Sequence, residues 1–188
     1  MVRRQLRLSL GLSVRCRFLL ILLLAMLSTA LAADDSGARR EDQLKAAYLF
    51  NFAKFVEWPA NNGNQPLTVC FVGGVGVHDA LASGIGNKRV GARPLAVRLL
   101  LDAGTLSGCN VLYVDSAVAA NSAPASGLAV LTISDAKAFA RNGGMIELFA
   151  EDNRLRFKVN VENAERAGLR ISSNLLQLAA SVEKGGTK

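Results

Sequence analysis

Beyond residue 33 the chain offers no apolar run long enough for a membrane-spanning helix. Histidine is nearly missing. His78 is the only one, and no tight group of cysteines or carboxylates surrounds it in sequence, so a metal centre has no donor set. No Gly-x-Ser-x-Gly elbow presents a serine nucleophile, and neither an internal repeat nor a low-complexity domain interrupts the chain. Net positive charge is also small once the first 33 residues are set aside. The formal charge of the whole chain is +7, but five arginines and no acids lie in residues 1–33, which leaves +2 on the remainder. A nucleic-acid partner thereby loses its main electrostatic support.

The opening residues form a secretory signal pattern. Arg3, Arg4, Arg7, Arg15 and Arg17 make a basic region, Phe18 to Leu27 an unbroken apolar run, and Ala30-Leu31-Ala32 a small-residue cleavage site. The run is too short to serve as a transmembrane helix. Cys16 precedes it and leaves with the signal, so no cysteine stands at the cleavage point for a lipid anchor. The Arg3-Arg4 pair inside an arginine-rich region is weak support for twin-arginine export, and the general secretory route is the expectation. Cleavage near Ala33 leaves about 155 residues, enough for one domain with a proper core and too few for two ordinary ones. The expected location is the periplasm of a Gram-negative bacterium.

Two cysteines remain after cleavage, Cys70 and Cys109. In an oxidising compartment an isolated pair most simply forms one disulfide, the alternative being two buried thiols.

The organisation of the remainder is that of an α/β fold. Residues 34–40 are small and polar, a flexible lead-in, and the domain is expected over residues 41–183. Glu41 to Val56 reads as a helix ended by Trp58-Pro59, with apolar residues spread over more than one stripe, which points to burial on several sides or to an interface. Asn61-Asn62-Gly63-Asn64 is a loop. Strands are expected at Leu67 to Val72, Leu95 to Leu101, Val111 to Asp115 and Gly127 to Ile133, alternating with helical pieces at Val77 to Ile85, Ala117 to Ala120 and Asp135 to Arg141. Ser134 reads as an N-cap for the last of these, and Gly143-Gly144 as its stop. This alternation predicts a single compact α/β domain with a largely parallel sheet flanked by helices. Met145 to Ala150 and Leu155 to Val161, joined by Glu151-Asp152-Asn153-Arg154, add a C-terminal antiparallel hairpin. A helix over Glu162 to Ala167 stops at Gly168. Ser172 or Ser173 then caps a final helix through Val182 with Leu175, Leu176, Leu178 and Ala179 facing the core. Residues 184–188 form a frayed tail.

Few residues carry a chemical argument. Gly73-Gly74-Val75-Gly76-Val77-His78 lies between a strand and a helix, but a dinucleotide fingerprint starting at Gly74 would need glycine where Asp79 stands, and no P-loop lysine follows. Tight-turn glycines are the better reading. His78 and Asp79 are adjacent on a helix and are expected to point apart. Glu147, Glu151, Asp152, Glu162 and Glu165 allow many imagined carboxylate pairs, yet a solvated face explains them as well, and no catalytic constellation or cofactor follows. Arg170-Ile171-Ser172-Ser173 places a guanidinium and two hydroxyls at a helix entrance, where free amides attract anions; a serine cap beside a surface arginine is the competing explanation.

Two segments go further than composition. Residues 44–59, Leu-Lys-Ala-Ala-Tyr-Leu-Phe-Asn-Phe-Ala-Lys-Phe-Val-Glu-Trp-Pro, resemble the opening signature of the YfiR family of periplasmic proteins. Phe157-Lys158-Val159-Asn160, followed by the run from Ala167 to Leu176, resembles its closing signature, and Cys70-Phe71-Val72-Gly73 also fits. The resemblance implies a non-enzymatic repressor that dimerises and holds down an inner-membrane diguanylate cyclase through its periplasmic domain. It also implies a system with an outer-membrane lipoprotein and a response to oxidation state. By the same resemblance Cys70 and Cys109 correspond to a family disulfide, while a second pair found in some relatives is absent. Tyr48, Phe52, Phe55 and Trp58, in the opening signature, are the expected partner or dimer interface. Arg170, Ser172 and Ser173 are the expected small-ligand site. The competing function is a periplasmic small-anion-binding protein.

Overall fold

The computed structural model describes residues 36–59, 65–119 and 128–183. The chain separates into two compact units, residues 1–41 and 42–188. Of the first, residues 36–41 are described, and they are helical. The lead-in expected over residues 34–40 is therefore helix from residue 36 onward, as the run Ala38-Arg39-Arg40-Glu41 of strong helix formers allows. The expected signal, the loop at residues 61–64 and the tail at 184–188 lie outside the described residues.

Helix α1 covers residues 36–54 and is followed by a short strand, β1 (Val56–Glu57). Next come β2 (Leu67–Val72), α2 (Val75–Ile85), β3 (Arg89–Val90), β4 (Arg93–Leu100), β5 (Val111–Val114), α3 (Ser116–Ala119) and β6 (Leu131–Ser134). The hairpin β7 (Ile146–Glu151) and β8 (Arg154–Asn160) leads into α4 (Val161–Arg166), β9 (Arg170–Ile171), α5 (Ser173–Leu178) and β10 (Ser181–Glu183). Eight strands form one sheet in the order β10-β8-β7-β6-β5-β2-β4-β3, while β1 and β9 pair separately. Only β7 with β8 and β3 with β4 run antiparallel in the large sheet. The expected α/β domain with a largely parallel sheet and a C-terminal hairpin is the observed one.

The sheet shows why the sequence builds it. Along β2, β5 and β6 successive side chains leave on opposite faces. Val69, Phe71, Val111, Tyr113, Leu131 and Ile133 join Leu49, Phe52, Ala53, Val77 and Leu81 in the main core under α1 and α2. Cys70, Val72, Leu112 and Val114 point the other way into a smaller cluster with Leu106, Cys109 and Val130. Both faces of these central strands are covered, which explains their nearly continuous apolar runs. In the hairpin, Asp152 and Asn153 take positive φ of 49° and 59°, the backbone of a two-residue turn whose twist matches the strands.

Several elements differ from the sequence expectation. Helix α1 buries one stripe, Lys45, Ala46, Leu49, Phe52 and Ala53, rather than several sides, and Leu44 and Ala47 stay exposed. Phe50 lies half-buried at its flank with the ammonium groups of Lys54 and Lys88 over its ring. A short strand, β3, precedes β4 in a hairpin through Gly91, whose φ is +58°. The helix expected over Asp135 to Arg141 is absent; residues 136–143 wind as turns. Ser134 belongs to β6, its hydroxyl accepts from the Ala136 amide, and Ala138 takes φ +62°, which ends any helical run. The final helix stops at Leu178 instead of continuing through Val182. Ser181 to Glu183 instead pairs with β8 as the sheet's last strand, and Leu178 is exposed rather than core-facing.

Candidate functional site

The strand pair β1–β9 joins the two ends of the folded chain. Val56 lies opposite Ile171 and Glu57 opposite Arg170, and the Ser172 amide donates to the Phe55 carbonyl at 2.9 Å. Residues 44–59 and 167–176, more than a hundred positions apart in sequence, thus form one continuous region. Four residues of pairing have no sequence signature of their own.

The aromatic residues in this region divide into core and margin. Phe52 is 1% exposed and packs edge-on against Tyr48 and Phe157, with ring centroids 5.6 and 4.9 Å away. Its place on the buried stripe of α1 makes it part of the main core. Tyr48 is half-buried and donates its hydroxyl to the Leu155 carbonyl at 2.9 Å, tying α1 to the hairpin. Phe55 and Trp58 are half-buried, and the enclosed Trp58 indole nitrogen meets no hydrogen-bond acceptor among the described residues.

Arg170 is exposed and lines a cleft of about 600 Å³ together with Val161, Glu165, Gly168, Leu169, Ile171 and Leu176. Ser172 caps α5: its hydroxyl oxygen accepts from the Leu175 amide at 3.3 Å. Ser173 is exposed as the first residue of α5. Arg170 is thus an exposed residue of the cleft wall, while the Ser172 oxygen is already used by the backbone.

Cys70 and Cys109 are bonded, with Cα atoms 5.8 Å apart, one on β2 and the other just before β5. The Arg98 guanidinium donates to the Ser107 carbonyl at 2.7 Å and lies 3.0 Å from the Cys109 sulfur. At the same end of the sheet Arg93 donates to the carbonyls of Gln65 and Pro66 and to the Asn110 side chain. Burial lowers its guanidinium pKa. An open cavity of about 620 Å³ adjoins it, but these contacts use Arg93 as a strap between chain segments.

One cluster was not foreseen. The chain runs from β2 outward to β4 and then returns to place β5 on the other side of β2, so the crevice beyond the ends of β2 and β5 is the sheet's switch point. In α/β sheets this is the usual ligand position. Here Lys45 from α1 reaches Asp135 at 2.6 Å, and Asp135 also accepts the Ser116 amide at 2.9 Å. Burial pushes the Asp135 carboxyl up, but the hydrogen bond and charge of Lys45, with the Ser116 amide, outweigh it and hold the pKa below the ordinary 3.8. The Tyr113 hydroxyl is fully buried nearby and makes no hydrogen bond of ordinary geometry among the described residues. Burial and then the charges of Asp135, Asp115 and Asp42 push it far above the usual phenol range. Gly73 and Gly74, at φ +70° and +58°, complete the crevice; a Cβ on Gly74 would lie 2.6 Å from the Tyr113 ring. Acids directly after adjacent parallel strands, Asp115 after β5 and Asp135 beside β6, were the available signal. The expected tight-turn role of the glycines agrees with this geometry.

His78 and Asp79, expected to point apart, are in contact: Nδ1 lies 2.8 Å from a carboxylate oxygen. The backbone directions diverge, but the side-chain torsions bring the groups together at the surface. Ser134 and Lys137 stand at Ser-x-x-Lys spacing, but Ser134 is fully buried and its hydroxyl accepts the Ala136 amide, so it is no nucleophile. Among the described residues no group of three or more histidines, cysteines or carboxylates is arranged to hold a metal ion, and no helix is long and apolar enough to cross a membrane.

Compared with known families, residues 42–180 match the family described as YfiR/HmsC-like. No curated protein matches the chain significantly.

Proposed function

Because the chain belongs to the YfiR/HmsC-like family, we propose that it is a periplasmic, non-enzymatic regulator that binds and represses an inner-membrane diguanylate cyclase. Cyclic di-GMP signalling and biofilm formation are then the processes it controls. One observation supports this most: the two signature segments meet through β1 and β9. A protein selected for contact with a partner needs one continuous surface, and this junction supplies it with Glu57, Arg170 and Ser173 exposed and Phe55 and Trp58 at its margin. The partner in this reading is the cyclase's periplasmic domain. The repressor acts as a homodimer and is relieved in a system that includes an outer-membrane lipoprotein.

The cleft beside Arg170 favours a second, compatible reading, in which the protein binds a small anion. A ligand there would shift the affinity for the cyclase only by as much as it distinguishes free from bound protein. The test is co-purification from solubilised membranes with the exported protein as bait. A cyclase-domain membrane protein recovered with the wild type, and lost when Arg170 and Trp58 are replaced by alanine in a folded variant, supports the proposal. Recovery of a transporter instead supports the anion-binding reading.

A further inference from the structure

We propose that the outer edge of β4 is a self-pairing surface, through which two copies of this chain join their sheets antiparallel across a two-fold axis centred on Leu99. The inference rests on the homodimer named above and assigns its interface to the edge opposite β10.

The edge is only half covered. β3 pairs with Arg93 and Pro94, and the Leu95 amide donates to the Lys88 carbonyl at 3.1 Å. Backbone groups alternate in direction along a strand, so the amides and carbonyls of Val97 and Leu99 point the same way as those of Leu95, away from β2. Among the described residues no strand meets them. Natural sheets guard such an edge with lysine, proline, a bulge or a covering segment. The free stretch here reads Val97-Arg98-Leu99-Leu100-Leu101, with Leu99 47% exposed and Leu101 fully exposed.

Its pattern is complementary to itself. With Leu99 on the axis, Leu99 faces the second copy's Leu99 on one side of the joined sheet, and Val97 comes opposite the second copy's Leu101, the first residue after β4. The sole charge, Arg98, then lies opposite the second copy's Leu100. The neighbouring register, centred on Arg98, would set two guanidinium groups directly opposite each other, an arrangement that destabilises a strand pair. Each Arg98 is also held back by the Ser107 carbonyl on the disulfide side. The lengths match as well. β3 occupies the edge as far as Leu95, and the turn at Asp102, whose carboxylate accepts the Gly104 amide, carries the second copy's chain away before it meets Lys88. Lys88 and Asp102 bring opposite charges to that join. A foreign strand could use the same backbone groups, but it would not account for this register-specific placement of Arg98.

Sedimentation velocity on the purified exported protein tests the surface, with Leu99→Lys as the perturbation and Leu178→Lys, at an exposed leucine elsewhere, as the control. Leu99→Lys sets two ammonium groups opposite each other and is expected to weaken self-association by about tenfold or more, while the control leaves it unchanged. Circular dichroism establishes that both variants fold. Register is tested by oxidative cross-linking: directly opposed residues in a hydrogen-bonded antiparallel pair have Cα atoms about 5.5 Å apart, within disulfide reach. Leu99→Cys is expected to form a covalent dimer, and Arg98→Cys is not. A dimer indifferent to Leu99→Lys overturns this interface and leaves the homodimer standing. A wild-type monomer overturns both, and neither result bears on repression of the cyclase.

Discussion

Replacing both Cys70 and Cys109 with alanine should lower the melting temperature substantially without changing the fold. The bond spans 39 residues of chain, so in the entropy model its loss frees the unfolded state by about 4 kcal/mol. The sulfurs are also buried in the small cluster with Val72, Leu106, Leu112, Val114 and Val130, and truncation there adds a modest packing loss. Arg98 keeps its bond to the Ser107 carbonyl, so no new unpaired charge is created. For a domain of this size each kcal/mol corresponds to about 2–4 °C, which puts the expected fall at about 8–16 °C. Thermal unfolding by circular dichroism without reductant measures it, and wild-type protein treated with reductant should move toward the variant. Equal melting temperatures would refute the stabilising role and favour a regulatory one. Free alkylation of both thiols in periplasmic protein would remove the bond altogether.

Two further outcomes follow from the buried groups. Lys45→Met leaves the Asp135 carboxylate with the Ser116 amide as its remaining strong partner and should cost about 3 kcal/mol in urea denaturation at neutral pH. Since the folded Asp135 pKa lies below 3.8, its contribution is present above that value and is lost as pH falls through and below it. The acid-side loss of stability should therefore be smaller in the variant than in the wild type, and identical pH profiles would count against the pair. Phe52→Ala should destabilise by about 3–5 kcal/mol, as expected for a fully buried aromatic, whereas Trp58→Ala should cost less and act chiefly on partner binding. Comparable losses in both would mean that Trp58 is core.

Where local chemistry decides the structure, the sequence was readable. The apolar runs of β2, β5 and the hairpin strands, the glycine turn after Val72 and the Asp152-Asn153 turn all carry period and backbone preferences within a few residues. The misread segments are those decided by distant partners. Asp135 is held by Lys45, 90 positions away, so the chain after Ser134 forms turns despite its helical composition. Ser181 to Glu183 became a strand because β8 offers an open edge, a fact no window around Val182 contains. The candidate region was half legible: both signatures stood out as segments, but their junction through Val56 and Ile171 depends on the finished fold. Phe52 and Trp58 look alike in sequence, and only the helical stripe separates core from margin.

Repression of a diguanylate cyclase is read most directly from cellular cyclic di-GMP. Deleting the gene in a strain that expresses the protein should raise cyclic di-GMP and surface attachment, and restoring the exported protein should return both to wild-type levels. An unchanged cyclic di-GMP concentration in that deletion strain would contradict the account.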